Sequence, residues 1–166
     1  MTLLSPRHGS ATETMPNQLP DSRVEIAGQG MVEAERWLIV GAGGFGREVF
    51  SWTSGQLRAT QSNNPVGFLD DDPDSLDQFP TLKERWMGRI STYSPRSGDR
   101  LLMALGDPTS KLAVGEALKA RGAVFASFVH PTAVIAHDVR IGVGCIICPF
   151  AVVCCNVRLG NFVSMN

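Results

Sequence analysis

From Val129 onward the chain repeats with a strict period of six residues. Large apolar residues stand at Val129, Ile135, Ile141, Ile147, Val153, Leu159 and Met165. Four places after each comes a small or β-branched residue: Ala133, Val139, Cys145, Ala151, Val157 and Val163. A helix repeats every 3.6 residues and a flat strand every two, so neither produces this pattern. The period predicts a three-faced β-solenoid, with one hexad per face and eighteen residues per coil. The large residue of each hexad points inward and the small one fills a corner of the narrow prism. Residues 129–166 hold two such coils and two residues more. Solenoids usually need three or more repeats and a capped end, so an open edge and weak self-association are expected of this segment alone.

Upstream, residues 34–128 read as alternating strands and helices. Trp37-Leu38-Ile39-Val40 is a short apolar run ending in glycines, as a buried parallel strand would be. A helix is predicted from Arg47 to about Arg58, with Val49, Phe50 and Trp52 near one face. Val66 to Leu69 and Leu101 to Leu105 read as further strands, stopped by Asp70-Asp71-Asp72-Pro73 and Gly106-Asp107-Pro108. Ser110 is the expected N-cap of a second helix running to Ala120, with Leu112, Val114 and Leu118 apolar and Gly122 as its stop. Ala123 to Phe128 reads as one more strand. This order implies a small Rossmann-like parallel sheet with right-handed crossovers, giving an α/β fold followed by a partial parallel β-helix. Residues 1–33 are rich in Ser, Pro, Thr, Gln and Gly without any period, and read as a disordered tail.

Charge narrows the functions open to such a chain. A net charge of -1 leaves no electrostatic footprint for nucleic acid or an anionic membrane surface. There is neither an eighteen-residue apolar run nor an apolar stretch of signal-peptide type, so a cytoplasmic protein is expected.

Gly41-Ala42-Gly43-Gly44-Phe45-Gly46 matches G-x-G-x-x-G between a predicted strand and a predicted helix. Such glycines let the backbone turn tightly against a phosphate at a helix N-terminus. Asp70 and Asp71 close the next strand, where a carboxylate would reach a ribose hydroxyl. The plain alternative is a glycine turn beside an acidic surface corner. Gly106 and Asp107 form a second strand-to-helix loop at the same edge of the sheet, serving either a ligand or simply a helix cap. Cys145, Cys148, Cys154 and Cys155 invite a zinc or redox reading. The hexad register argues against both, because Cys148 and Cys154 fall on successive faces and no second pair completes four ligands. No metal site is expected. His130 precedes Pro131 and His137 lies in a hexad turn, and both read as structural or solvated residues.

The segments GAGGFGREV, VGFLDDDP, LLMALGDPTSK and HPTAVIA leading into hexads, taken in that order, resemble the NeuD/PglD-type sugar acetyltransferase family over residues 36–166. The resemblance implies a Rossmann-like domain holding a nucleotide-linked sugar and a left-handed β-helix that trimerises and binds acetyl-CoA between subunits, in polysaccharide biosynthesis. It carries phosphate contacts to Gly41, Gly43, Gly44, Gly46 and Arg47, ribose or base contacts to Asp70 and Asp71, and nucleotide-side contacts to Gly106 and Asp107. Many relatives have a histidine where this chain has Phe45. The implied chemistry is attack of a sugar amine or hydroxyl on the acetyl thioester, with a histidine general base. In the family that histidine lies about one hexad beyond the asparagine that Asn166 resembles, so no catalytic residue is expected within these residues, and the chain alone is expected to be inactive. The other reading open at this point is a nucleotide- or dinucleotide-binding module whose hexads serve assembly only.

Overall fold

The structure is a computed structural model that describes residues 25–26, 35–57 and 67–166. The first four-stranded element of the fold is a parallel sheet. Its strands are β2 (Arg36–Val40), β3 (Gly67–Leu69), β4 (Trp86–Gly88) and β5 (Asp99–Met103), in the order β4-β3-β2-β5. Leu38, Ile39, Val40, Phe68, Leu69, Leu101, Leu102 and Met103 are fully buried, as strands covered on both faces must be. Helix α1 (Gly44–Leu57) connects β2 to β3, and helix α2 (Pro108–Ala120) follows β5. The chain leaves β2 toward β3 on one side and returns to β5 on the other. The carboxyl ends of β2 and β5 therefore flank the point where the strand order reverses, where open parallel sheets form a crevice.

Several local expectations shift. Helix α1 begins at Gly44, inside the glycine cluster, three residues before the predicted start. Gly46 is needed there because a Cβ would run into the Gly41 carbonyl. The N-cap of α2 is Asp107 rather than Ser110: its Oδ2 accepts from the Ser110 N–H at 2.6 Å, and Pro108 takes the first turn, where no backbone donor is required. On α2 the buried residues are Lys111, Gly115 and Leu118, while Leu112 is 55% exposed. The strand expected over Ala123–Phe128 reduces to one bridge between Phe125 and Leu101. β4 and the 3-10 turn before it (Lys83–Arg85) had no clear hydrophobic signal.

The hexads fold as the period requires. Strands β6 (Phe128–Val129), β7 (Val134–Ile135), β8 (Arg140–Ile141), β9 (Ile146–Ile147), β10 (Val152–Val153), β11 (Arg158–Leu159) and β12 (Ser164–Met165) begin every six residues and pair in parallel eighteen residues apart. All thirteen repeat positions collect in a single apolar cluster along the prism. The corners recur with the same period: Asp138, Gly144, Phe150, Asn156 and Phe162 have φ between 55° and 71°. Phe128, read as the end of the sheet domain, is the first residue of the solenoid, pairing with Ile146. Within the span read as disordered, β1 (Glu25–Ile26) pairs in parallel with β8 and extends that solenoid face by one strand. The other residues before 35 lie outside the described residues.

Phe162 joins the two parts. It is 4% exposed and belongs to the apolar cluster of the sheet, not to that of the prism. Its ring packs edge-on against Phe125 at 4.9 Å. A Cβ at Gly115 of α2 or at Gly144, the corner one coil earlier, would lie 2.5 Å from that ring, so both glycines form the slot that admits it.

Candidate functional site

The loop after β2 turns at Gly41, whose φ of 103° favours glycine, and its amide is held by the Leu69 carbonyl at 2.8 Å. Asp70, at the end of β3, accepts from the Ala42 N–H at 2.7 Å and from the Asp72 N–H at 3.0 Å. Its carboxylate therefore fastens the glycine loop. Arg47 donates to the Ala42 carbonyl at 2.8 Å and stacks 3.9 Å above the Phe79 ring, so it braces the same loop from within α1. Gly43 and Gly44 are exposed, and a Cβ on Gly43 would meet nothing within 4 Å. This open backbone stands at the start of α1, where peptide dipoles favour an anion. Asp71 faces another way: it accepts from the Ser91 N–H at 2.9 Å and the Ser91 hydroxyl at 2.8 Å. The backbone bond from Ser91 holds its carboxyl below the usual range.

Beside this loop, a cavity of about 610 Å³ opens where the sheet domain meets the last described coil. Phe45 and Glu48 of α1 form one wall, Gly106, Pro108 and Lys111 a second, and Asn161, Ser164 and Asn166 of the solenoid a third. Of the residues expected from the sequence, Gly106 and Asn166 line it. Asp107 caps α2, and its bond from the Ser110 amide holds its carboxyl low. Phe45 lies between Gly44 and Gly46 in sequence, so the glycine loop and the cavity adjoin.

Lys111 is 7% exposed and donates from Nζ to Ser164 Oγ at 2.8 Å, across the junction. The Phe45 ring lies 5.8 Å from the same nitrogen. Burial pulls the Lys111 ammonium below the ordinary lysine value, against a smaller opposing effect of the Cys145 and Cys148 thiols. Cys148 donates its thiol hydrogen to Asn166 Oδ1 at 2.9 Å, and burial pushes that thiol up, away from thiolate chemistry. Sequence reasoning missed Lys111. The available signal was its spacing: Lys111, Gly115 and Leu118 make one helix stripe, so a lysine occupies a core-facing position.

The histidines stand elsewhere. His130 Nδ1 lies 2.8 Å from Thr132 Oγ1, with its ring against Trp52 and Phe128, and His137 is exposed. Neither lines the cavity. Among the described residues no cluster of His, Cys, Asp and Glu could hold a metal ion, and no helix is long and apolar enough to cross a membrane.

No family model and no curated protein matches the sequence. Solved structures do match. The acetyltransferase domain of PglB from Neisseria gonorrhoeae is 23% identical with a TM-score of 0.65, over 80% of this chain and 62% of that one. PerB from Caulobacter crescentus, in complex with CoA and GDP-perosamine, is 21% identical with a TM-score of 0.63, over 82% of this chain and 62% of that one. WeeI from Acinetobacter baumannii is 22% identical with a TM-score of 0.60, over 78% and 60%. The fold is shared with sugar acetyltransferases. The chain spans less than two thirds of the length of each of these relatives.

Proposed function

We propose that this chain belongs to an acetyl-CoA-dependent acetyltransferase acting on a nucleotide-linked or related amino sugar, and that it supplies the sugar-nucleotide site. The observation that carries the reading is the junction cavity, walled by both the loop after β5 and the last coil, in a fold shared with an enzyme captured with CoA and GDP-perosamine. The sheet domain is read as Rossmann-like and the solenoid as a left-handed β-helix.

Each residue then has a task. The exposed amides at Gly43 and Gly44, on a turn set by Gly41 and Gly46, receive the nucleotide phosphates at the start of α1. Asp70 and Arg47, whose contacts with the ligand are expected from the resemblance, also keep that turn in shape. Asp71 stands at the ribose side, and Gly106 and Asn166 bound the sugar pocket. Acetyl-CoA supplies the thioester, and the acceptor amine or hydroxyl attacks it. The general base that takes the acceptor proton is neither His130 nor His137, so the 166 residues alone are expected to bind without turnover. Val134, Phe150 and Val152 are more than half exposed on neighbouring hexads, an apolar face fit for assembly into a homotrimer. The exposed free thiols Cys154 and Cys155 suit a reducing, cytoplasmic setting.

Thermal unfolding tests the reading. GDP- or UDP-linked amino sugars should raise the melting temperature, by an amount set by their concentration relative to Kd. Protection by NAD alone would replace it with a dinucleotide-binding module. Release of free CoA thiol by these 166 residues would refute the absence of the base.

A further inference from the structure

Three buried side chains among the described residues carry a formal charge: Asp99, Arg100 and Lys111. Asp99 is joined to Arg36 at 2.7 Å and Arg100 to Glu35 at 3.1 Å. Lys111 has no carboxylate within ion-pair distance among the described residues, only the Ser164 hydroxyl and the Phe45 ring. A desolvated charge without a counter-charge is costly, and a hydroxyl offsets only part of the lost hydration. An ammonium has three donors, and one is occupied by Ser164. Lys111 also lines a cavity large enough for a small ligand, together with the Ser164 and Phe45 that surround its nitrogen. The helix terminus nearby does not replace it as an anion site, because the Asp107 carboxylate already caps those amides.

We infer that Lys111 is the counter-charge for an anionic oxygen group, phosphate or carboxylate, of the molecule that occupies the junction cavity. Ser164 Oγ, accepting from Nζ, fixes the direction in which the remaining donors point. The site thus exists only when the last coil is docked on α2. Glu48, an exposed residue of α1, is the acidic residue among those that line the cavity. The inference rests on the sugar-nucleotide reading for the identity of the ligand, but not for the existence of an anion site.

Calorimetric titration of the full chain with GDP, UDP, inorganic pyrophosphate and glucuronate tests it, using wild type, Lys111→Met and Lys111→Arg. Tighter binding of the diphosphates assigns the site to phosphate, and tighter binding of glucuronate assigns it to a carboxylate. The favoured anion should lose about tenfold or more in affinity in Lys111→Met and recover most of it in Lys111→Arg. Guanosine and uridine, which carry no anion, should bind wild type and Lys111→Met alike. Equal anion binding by wild type and a folded Lys111→Met, verified by its melting curve, would overturn the inference and leave the sugar-nucleotide reading standing. Lys111-dependent binding of pyrophosphate or glucuronate with no binding of GDP or UDP would keep the anion site and remove the nucleotide. Should Lys111→Met fail to fold, Ser164→Ala replaces it, with a smaller loss expected in the same anion. No anion binding by wild type would overturn the inference outright.

Discussion

The two ends of the parallel sheet treat a buried charge in opposite ways. At the amino ends of β2 and β5, Arg36 meets Asp99 through two bonds of 2.7 and 2.9 Å, Tyr93 donates to the same carboxylate, and the Arg96 amide adds a bond at 2.8 Å. Burial pushes the Asp99 carboxyl up, yet these donors outweigh it and hold it below the usual range. Burial and the neighbouring Asp99 push Tyr93 up to about 12. At the carboxyl ends, Lys111 is equally secluded and lacks a partner of opposite charge among the described residues. A closed cluster stabilises the fold, whereas a charge left open at a cavity is where stability is given up for recognition.

Truncation of the junction itself should have the largest effect. Phe162→Ala removes the ring seated between Gly115 and Gly144 and should cost about 3–5 kcal/mol in chemical denaturation. It should also weaken ligand binding, because the solenoid wall of the cavity depends on that docking. Breaking the closed end comes next. Asp99→Ala should cost about 2–4 kcal/mol, moderated by the partial exposure of Arg36, while leaving ligand affinity unchanged. A loss of affinity there would mean that the two ends are not independent.

Acid sharpens the same contrast. A carboxyl held below its ordinary value of 3.8 contributes its stability above about pH 4 and loses it as the pH falls through the depressed folded value. Stability measured against pH should therefore drop below about pH 4, and Asp99→Asn should flatten that limb. Asp107→Ala removes the cap of α2 and should lower the melting temperature by less than Phe162→Ala or Asp99→Ala does. Smallest is Lys111→Met. Its stability should lie within about 1 kcal/mol of wild type and fall on the stabilised side, since it removes an unpaired buried charge.

The hexads were legible in the sequence because a solenoid repeats the same two inward side-chain positions on every face, and all thirteen predicted positions share one apolar cluster. The glycine turn and the two helices were legible too, from punctuation and apolar period. What escaped was decided by tertiary packing. Asp70 and Arg47 each bond the Ala42 peptide, a bracing of the glycine turn that their place in the sequence did not announce. Phe162 holds a corner of the hexads, but the burial of its ring against the sheet is set by two distant glycines. Lys111 is buried because the α2 stripe it shares with Gly115 and Leu118 faces the last coil, a packing that the helix period alone does not reveal. The pairing of Glu25–Ile26 with β8 had no local signal, since a two-residue strand is specified by its partner.

In the proposed reading one ligand spans the open glycine turn and the junction cavity. Amide chemical-shift mapping during titration with a GDP- or UDP-linked amino sugar tests it most directly. Concerted shifts are expected at Gly43 and Gly44, at Gly106 and Lys111, and at Ser164, with the amino ends of β2 and β5 unmoved. Shifts confined to one side of the junction, or centred on the Arg36–Asp99 cluster, would contradict it.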